Sequence, residues 1–205
     1  MQFAYYRRLT ARQKRIYDRS DAIPIVRVPG ATGLSPQVAA LARGLERDDR
    51  EATELAARRL TDDLLGKLAL PPVRLRVLAV RPTENWGELH GLYEFGGKRQ
   101  RPVISVWMRT AQRRNVVAFR TFLRTLLHEI GHHLDYEMLG LEDSYHTQGF
   151  YKREASLFHQ LVPDAAVREA KPASAARRAP RQAARASAKP KQRAGAVQAR
   201  LPFEE

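Results

Sequence analysis

His128 and His132 stand four residues apart in Leu126-Leu127-His128-Glu129-Ile130-Gly131-His132-His133-Leu134-Asp135, with a glutamate directly after the first. On a helix this spacing puts both imidazoles on one face, one turn apart, where they can hold a single Zn²⁺. Glu129 sits about 100° further round, so it can reach a water held by the metal without ligating the metal itself. The chemistry this predicts is hydrolysis: the carboxylate takes a proton from the water, the water attacks a carbonyl, and the proton passes to the leaving amine.

The surrounding residues agree with a helix. Counting about 100° per residue from His128, His132, Asp135 and Leu139 fall within roughly 40° of it. Leu123, Leu126, Leu127, Ile130, Leu134 and Met138 gather on the other side. The pattern predicts a helix with one apolar face and one face that carries ligands. It starts near Asn115 or Val116 and ends before Gly140, where a helix commonly stops.

The elements that must position this helix can be read along the chain. Thr10 and Gln13 fit a capping box for a helix over 11–20, and Pro24 to Pro29 is extended. Ser35-Pro36 fits an N-cap followed by proline in the first turn. The apolar stripe through Val38, Leu41 and Leu45 resumes at Leu55, Leu60, Leu64, Leu65 and Leu68, as one long helix or two, and Pro71-Pro72 ends it. Alternation over Val73–Val80 and Leu89–Phe95, and the run Val103–Trp107, predict three strands, the last two joined by a hairpin at Gly96-Gly97. A final helix from about Gly149 to Val162 closes at Pro163. The fold class expected is α+β.

The chain has 205 residues, a formal charge of +14 and no cysteine. The absence of cysteine excludes a disulfide framework, a cysteine-built zinc ribbon and thiol catalysis. Nine Lys or Arg lie between Lys171 and Arg200, where there is no acid. Such a segment has too little apolar surface to offset its ordering entropy and is expected to be disordered. Its charge suits non-specific contact with DNA through residues 171–200, and without interleaved aromatics it does not suit base reading. No apolar run is long enough to span a membrane and the N-terminus lacks a signal-peptide pattern, so a cytoplasmic protein is expected. Three regions follow: 1–34, an N-terminal segment packing on the core; 35–165, the catalytic domain; and 171–205, the basic tail.

A catalytic zinc takes a third protein ligand, and the residues leave His146, Glu154, Asp135 and His133 as candidates. His133 points about 100° away from His132 and reads as a surface or substrate contact. Asp135 shares the ligand face and could instead accept the free ring N–H of a ligating histidine. Tyr93, Tyr136, Tyr145 and Tyr151 are candidate donors to a developing oxyanion.

The run His128-Glu129-Ile130-Gly131-His132, thirteen intervening residues, and then His146-Thr147-Gln148-Gly149-Phe150 resembles the SprT-like zinc metallopeptidases over about residues 70–162. That resemblance implies a zincin-like domain binding Zn²⁺ through His128, His132 and His146, with Glu129 catalytic and a polypeptide as substrate. It also implies a strand beside the motif helix that pairs with the substrate, for which Val103–Trp107 is the candidate by position; the same run also reads as an interior strand. Arg153-Glu154-Ala155-Ser156-Leu157-Phe158 and Leu161-Val162-Pro163 resemble instead the ImmA/IrrE-like peptidases, which cleave repressors. That second resemblance implies Glu154 as the third ligand.

Overall fold

The computed structural model describes residues 3–84, 87–97, 100–163 and 196–199. It is a mixed α+β structure in which five α-helices pack around a small sheet.

After a 3-10 turn at Ala4–Arg8, helix α1 (Ala11–Asp21) starts at Thr10, whose hydroxyl accepts from the Gln13 amide in the expected capping box. The apolar stripe of residues 35–68 is divided into α2 (Ser35–Glu46) and α3 (Arg50–Lys67). Asp48 adopts a left-handed φ of 54°, and the Asp49 carboxylate caps α3 by accepting from the Ala52 amide at 3.0 Å. Ser35 is the first residue of α2 rather than its N-cap, and its hydroxyl donates to the Thr32 carbonyl.

Strand β1 (Arg74–Val80) is followed by a two-rung hairpin of β2 (Thr83–Glu84) and β3 (Gly87–Glu88), then β4 (Gly91–Glu94) and β5 (Val103–Arg109). β4 and β5 are antiparallel, with Gly91 opposite Val106 and Glu94 opposite Val103, and Gly97 turns between them at φ 64°. β1 pairs parallel with the other edge of β5. β5 is thus interior, and Ile104 to Met108 are all buried. This corrects the expectation that Val103–Trp107 could receive a substrate: its N–H and C=O groups are engaged on both sides.

Helix α4 (Phe119–Glu137) carries the motif and starts later than the sequence suggests. Residues before it turn back onto the end of β5: the Val117 amide donates to Met108 O, and Val116 bridges Arg109. With those groups engaged, the helical ladder begins only at Phe119. Leu123, Leu126, Leu127, Ile130 and Leu134 enter the common core with Leu60 and Leu64 of α3 and with Val77, Ile104 and Val106 of the sheet.

Helix α5 (Gln148–Leu161) is capped by Thr147, whose hydroxyl accepts from the Phe150 amide at 2.9 Å. It packs on α4 and contributes Leu157, Phe158 and Leu161 to the core. The N-terminal region is tied to α5 by polar contacts. The Gly149 amide donates to Asp21, and the Gln160 side chain bonds both Val28 N and Val26 O.

Of the expected basic tail, residues 171–195 and 200–205 lie outside the described residues. Ala196–Ala199 forms β6, antiparallel to β4, which gives the sheet the order β1-β5-β4-β6. Among the described residues no helix is long and apolar enough to cross a membrane.

Candidate metal centre

α4 delivers His128 and His132 from successive turns, and the loop before α5 folds His146 over them. The His146 Nε2 lies 2.9 Å from His128 Nε2 and 3.2 Å from His132 Nε2. The ligating atoms of all three lie within 4.8 Å of one another. The ring of Phe150 backs the cluster, with centroids 4.9 Å from His128, 4.8 Å from His132 and 5.3 Å from His146. Gly131 makes room for that ring, since a Cβ there would stand 2.9 Å from Phe150 Cζ. The loop holding His146 is anchored from the N-terminal turn, where the Tyr5 hydroxyl donates to His146 O at 2.8 Å.

The partners on the far side of the rings decide where the lone pairs point. Burial pushes the His128 and His146 pKa values down to about 3 and that of His132 well below its usual value, so each ring is neutral and carries one N–H. The Glu154 carboxylate accepts from His128 Nδ1–H at 3.0 Å. The Ser144 hydroxyl donates to Asp135 Oδ2 at 2.7 Å and therefore accepts from His132 Nδ1–H, also at 2.7 Å. Both Nε2 atoms are left bare and aimed at a common point with His146 Nε2. Two bare nitrogens converging in this way call for a shared proton or a cation: His146 can supply the proton as Nε2–H or, with its proton on Nδ1, join the other two in holding a metal ion. Zn–N bonds of about 2.0–2.1 Å in a tetrahedral shell place ligand nitrogens about 3.3 Å apart, close to the 2.9 and 3.2 Å that His146 Nε2 keeps from the other two. The three histidines therefore fit a zinc ion.

The support extends further back. Arg153, fully buried, donates to Asp135 Oδ1 at 2.5 Å and to the carbonyls of Ser20 and Ile23 at 2.6 Å each. A chain of contacts thus runs from α1 through Arg153, Asp135 and Ser144 to His132. Burial raises the Asp135 pKa to about 6, against the pull of Arg153 and Ser144. Burial raises that of Glu154 to about 7, against the pull of Arg124.

Glu129 is fully buried, and neither of its carboxylate oxygens has a hydrogen-bond partner among the described residues. Burial, with Glu154 adding a smaller push, raises its pKa well above the usual carboxylate value. Its side chain lies against the backbone of β4: a Cβ on Gly91 would stand 2.2 Å from Glu129 Oε1. The motif carboxylate and the backbone of β4 are therefore in direct contact.

Of the residues expected at the site, His128, His132 and His146 are brought together, and Glu129, on the same helix, lies against Gly91 of β4. Glu154 is close by, but it faces the Nδ1 side of His128, away from the point where the Nε2 atoms meet. Asp135 reaches His132 through the Ser144 hydroxyl rather than directly. His133 is not a surface residue: it is buried, with Nδ1 3.1 Å from the Tyr93 hydroxyl and Nε2 2.9 Å from Pro71 O. That contact engages the Tyr93 hydroxyl, and Tyr136 stacks between Phe95 and Tyr93. Tyr151 is the candidate tyrosine that lies on the cluster, stacked on His146 at 5.8 Å. Ser144, Arg153 and Gly91 were not singled out in the sequence. The available signal for Ser144 was its place two residues before His146; Arg153 and Gly91 gave none.

No protein-family model, curated protein or solved structure matches the chain.

Proposed function

We propose that this protein is a zinc-dependent peptidase of zincin type, closer to the SprT-like enzymes than to the ImmA/IrrE-like ones. The observation that carries the reading is a fully buried Glu129 without a hydrogen-bond partner among the described residues, on the same helix as two of three imidazoles whose Nε2 atoms converge. A structural zinc needs four protein ligands and no neighbouring base; three ligands and a free carboxylate fit a hydrolytic site. Glu154, which takes the Nδ1 side of His128, favours His146 as the third ligand, and with it the SprT-like resemblance.

In this reading His128, His132 and His146 hold Zn²⁺, which when bound polarises water and a substrate carbonyl. Glu129 accepts the proton of the attacking water and returns it to the leaving amine. Glu154 and the Ser144–Asp135–Arg153 chain keep the ligating rings in the tautomer that leaves Nε2 bare. β4, next to Glu129 through Gly91, replaces β5 as the strand along which an extended polypeptide is laid, on the edge that β6 pairs. The basic residues 171–200 suit a tether to DNA.

The test compares the zinc-loaded wild type with Glu129→Gln on reduced casein. Zinc content is expected to be equal, and cleavage by the variant to fall at least about a hundredfold, the low end of what a general base supplies. Undiminished cleavage by Glu129→Gln would overturn the mechanism. A zinc-loaded wild type that cleaves nothing would point to a non-catalytic zinc protein.

A further inference from the structure

The three strands β1, β5 and β4 would leave one edge of β4 open beside Glu129. That edge is covered by the chain's own C-terminal region: Ala199 stands opposite Gly91, Gln198 opposite Leu92, Val197 opposite Tyr93 and Ala196 opposite Glu94. β6 also lies against α4, the helix that carries the motif. Ala199 is thus paired with the residue whose Cα hydrogens face the Glu129 carboxylate. The covering segment is unusual for its surroundings. Ala196-Val197-Gln198-Ala199 is uncharged and contains a β-branched residue, within a region otherwise dense in Lys, Arg and Pro.

Strand addition to an exposed edge is a general mode of polypeptide capture, in which the main-chain ladder supplies the affinity. A segment belonging to the same chain has an effective concentration in the millimolar range when its connection spans the distance. It therefore outcompetes a free peptide of similar ladder energy at micromolar concentration. We propose that Ala196–Ala199 is a resident strand on the polypeptide-binding edge of β4, and that an extended substrate must displace it to reach Glu129. The placement of the strand stands on the register alone; only its role as a competitor of substrate rests on the peptidase reading.

Two measurements on the full chain test this. The protein has no cysteine, so Leu92→Cys with Gln198→Cys creates a single pair of thiols. Facing residues of an antiparallel ladder have Cα atoms about 4.5–5.5 Å apart, within the range that a disulfide spans. In a glutathione buffer the pair is expected to form its disulfide at least about tenfold more readily than the control, Leu92→Cys with Ser187→Cys. Equal formation would overturn the assignment.

In the second measurement a fluorescein-labelled peptide with the sequence of residues 195–201 is titrated into zinc-loaded Glu129→Gln, and into the same protein also carrying Val197→Pro and Gln198→Pro. Two consecutive prolines remove a ladder N–H whichever way the strand faces. The labelled peptide is expected to bind the proline variant at least about fivefold more tightly, and equal binding would overturn the competition. If trapping is selective and the proline variant gains affinity while no form of the protein cleaves casein, the strand assignment stands and the peptidase reading falls.

Discussion

Glu129 is difficult to explain on stability grounds, because both oxygens are buried without partners among the described residues and a neutral isostere would occupy the same space. Its pKa in the folded protein is raised above the unfolded value, so between the two values the folded state holds more protons than the unfolded state. Stability contributed at this position is therefore present at low pH and is lost as pH rises above about 4.5. Glu129→Gln removes that dependence. In metal-free protein it is expected to raise the unfolding free energy in urea by about 1 kcal/mol or more at pH 8, with the difference shrinking towards pH 4.5. Ser144 is a second residue whose role lies in the site. Ser144→Ala should leave the fold intact and weaken zinc binding by about 10–100-fold in a competition with a chromophoric chelator, because His132 loses its orienting acceptor. Gly91→Ala should behave differently. The added Cβ displaces the Glu129 carboxylate and leaves the histidines alone, so zinc affinity should be retained while casein cleavage falls.

At the scale of elements, α1, α4 and α5 meet at the guanidinium of Arg153. It bonds the Ser20 carbonyl and hydroxyl, the Ile23 carbonyl and the Asp135 carboxylate, and it is fully buried. Arg153→Ala leaves Asp135 buried without its cation and should cost about 3–5 kcal/mol in urea unfolding. Arg153→Ala combined with Asp135→Ala should cost less than the two single changes added together, as a double-mutant cycle would show. The motif helix was legible because its chemistry and its apolar face share one 3.6-residue period. Its start was not, since the claim of the end of β5 on Val116 and Val117 is a tertiary pairing that the helical period does not record. The break between α2 and α3 turns on the left-handed backbone at Asp48 within a charged run, which the apolar stripe does not mark. The position of β5 between β1 and β4 is a matter of pairing across the sheet, and alternation within one strand carries no record of its neighbours.

Across the whole molecule, the parts of the site that sequence could supply were those that lie on one helix. The choice between His146 and Glu154 depends on how the loop and α5 fold over α4, which spacing alone left open. His133 shows the reverse error: its direction on the helix was right, but what lies there is β4 and the Pro71 turn, not solvent. The distribution of charge has its own consequence. If residues 171–200 tether the protein to DNA, binding to a random-sequence duplex should weaken steeply with salt. Replacing the nine Lys and Arg of that segment by Gln should flatten the log–log slope by up to about 0.9 per phosphate contact removed; an unchanged slope would remove the tether.

The proposed function depends most on one metal ion held by three imidazoles with Glu129 left free. X-ray absorption at the zinc edge of the loaded protein reads the ligand set directly. One zinc per chain, with three imidazole nitrogens at about 2.0 Å and one further light atom, is the predicted shell, unchanged in Glu129→Gln and reduced by one imidazole in His146→Ala. A protein that takes up no zinc, or a shell that keeps all its imidazoles in His146→Ala, would contradict it.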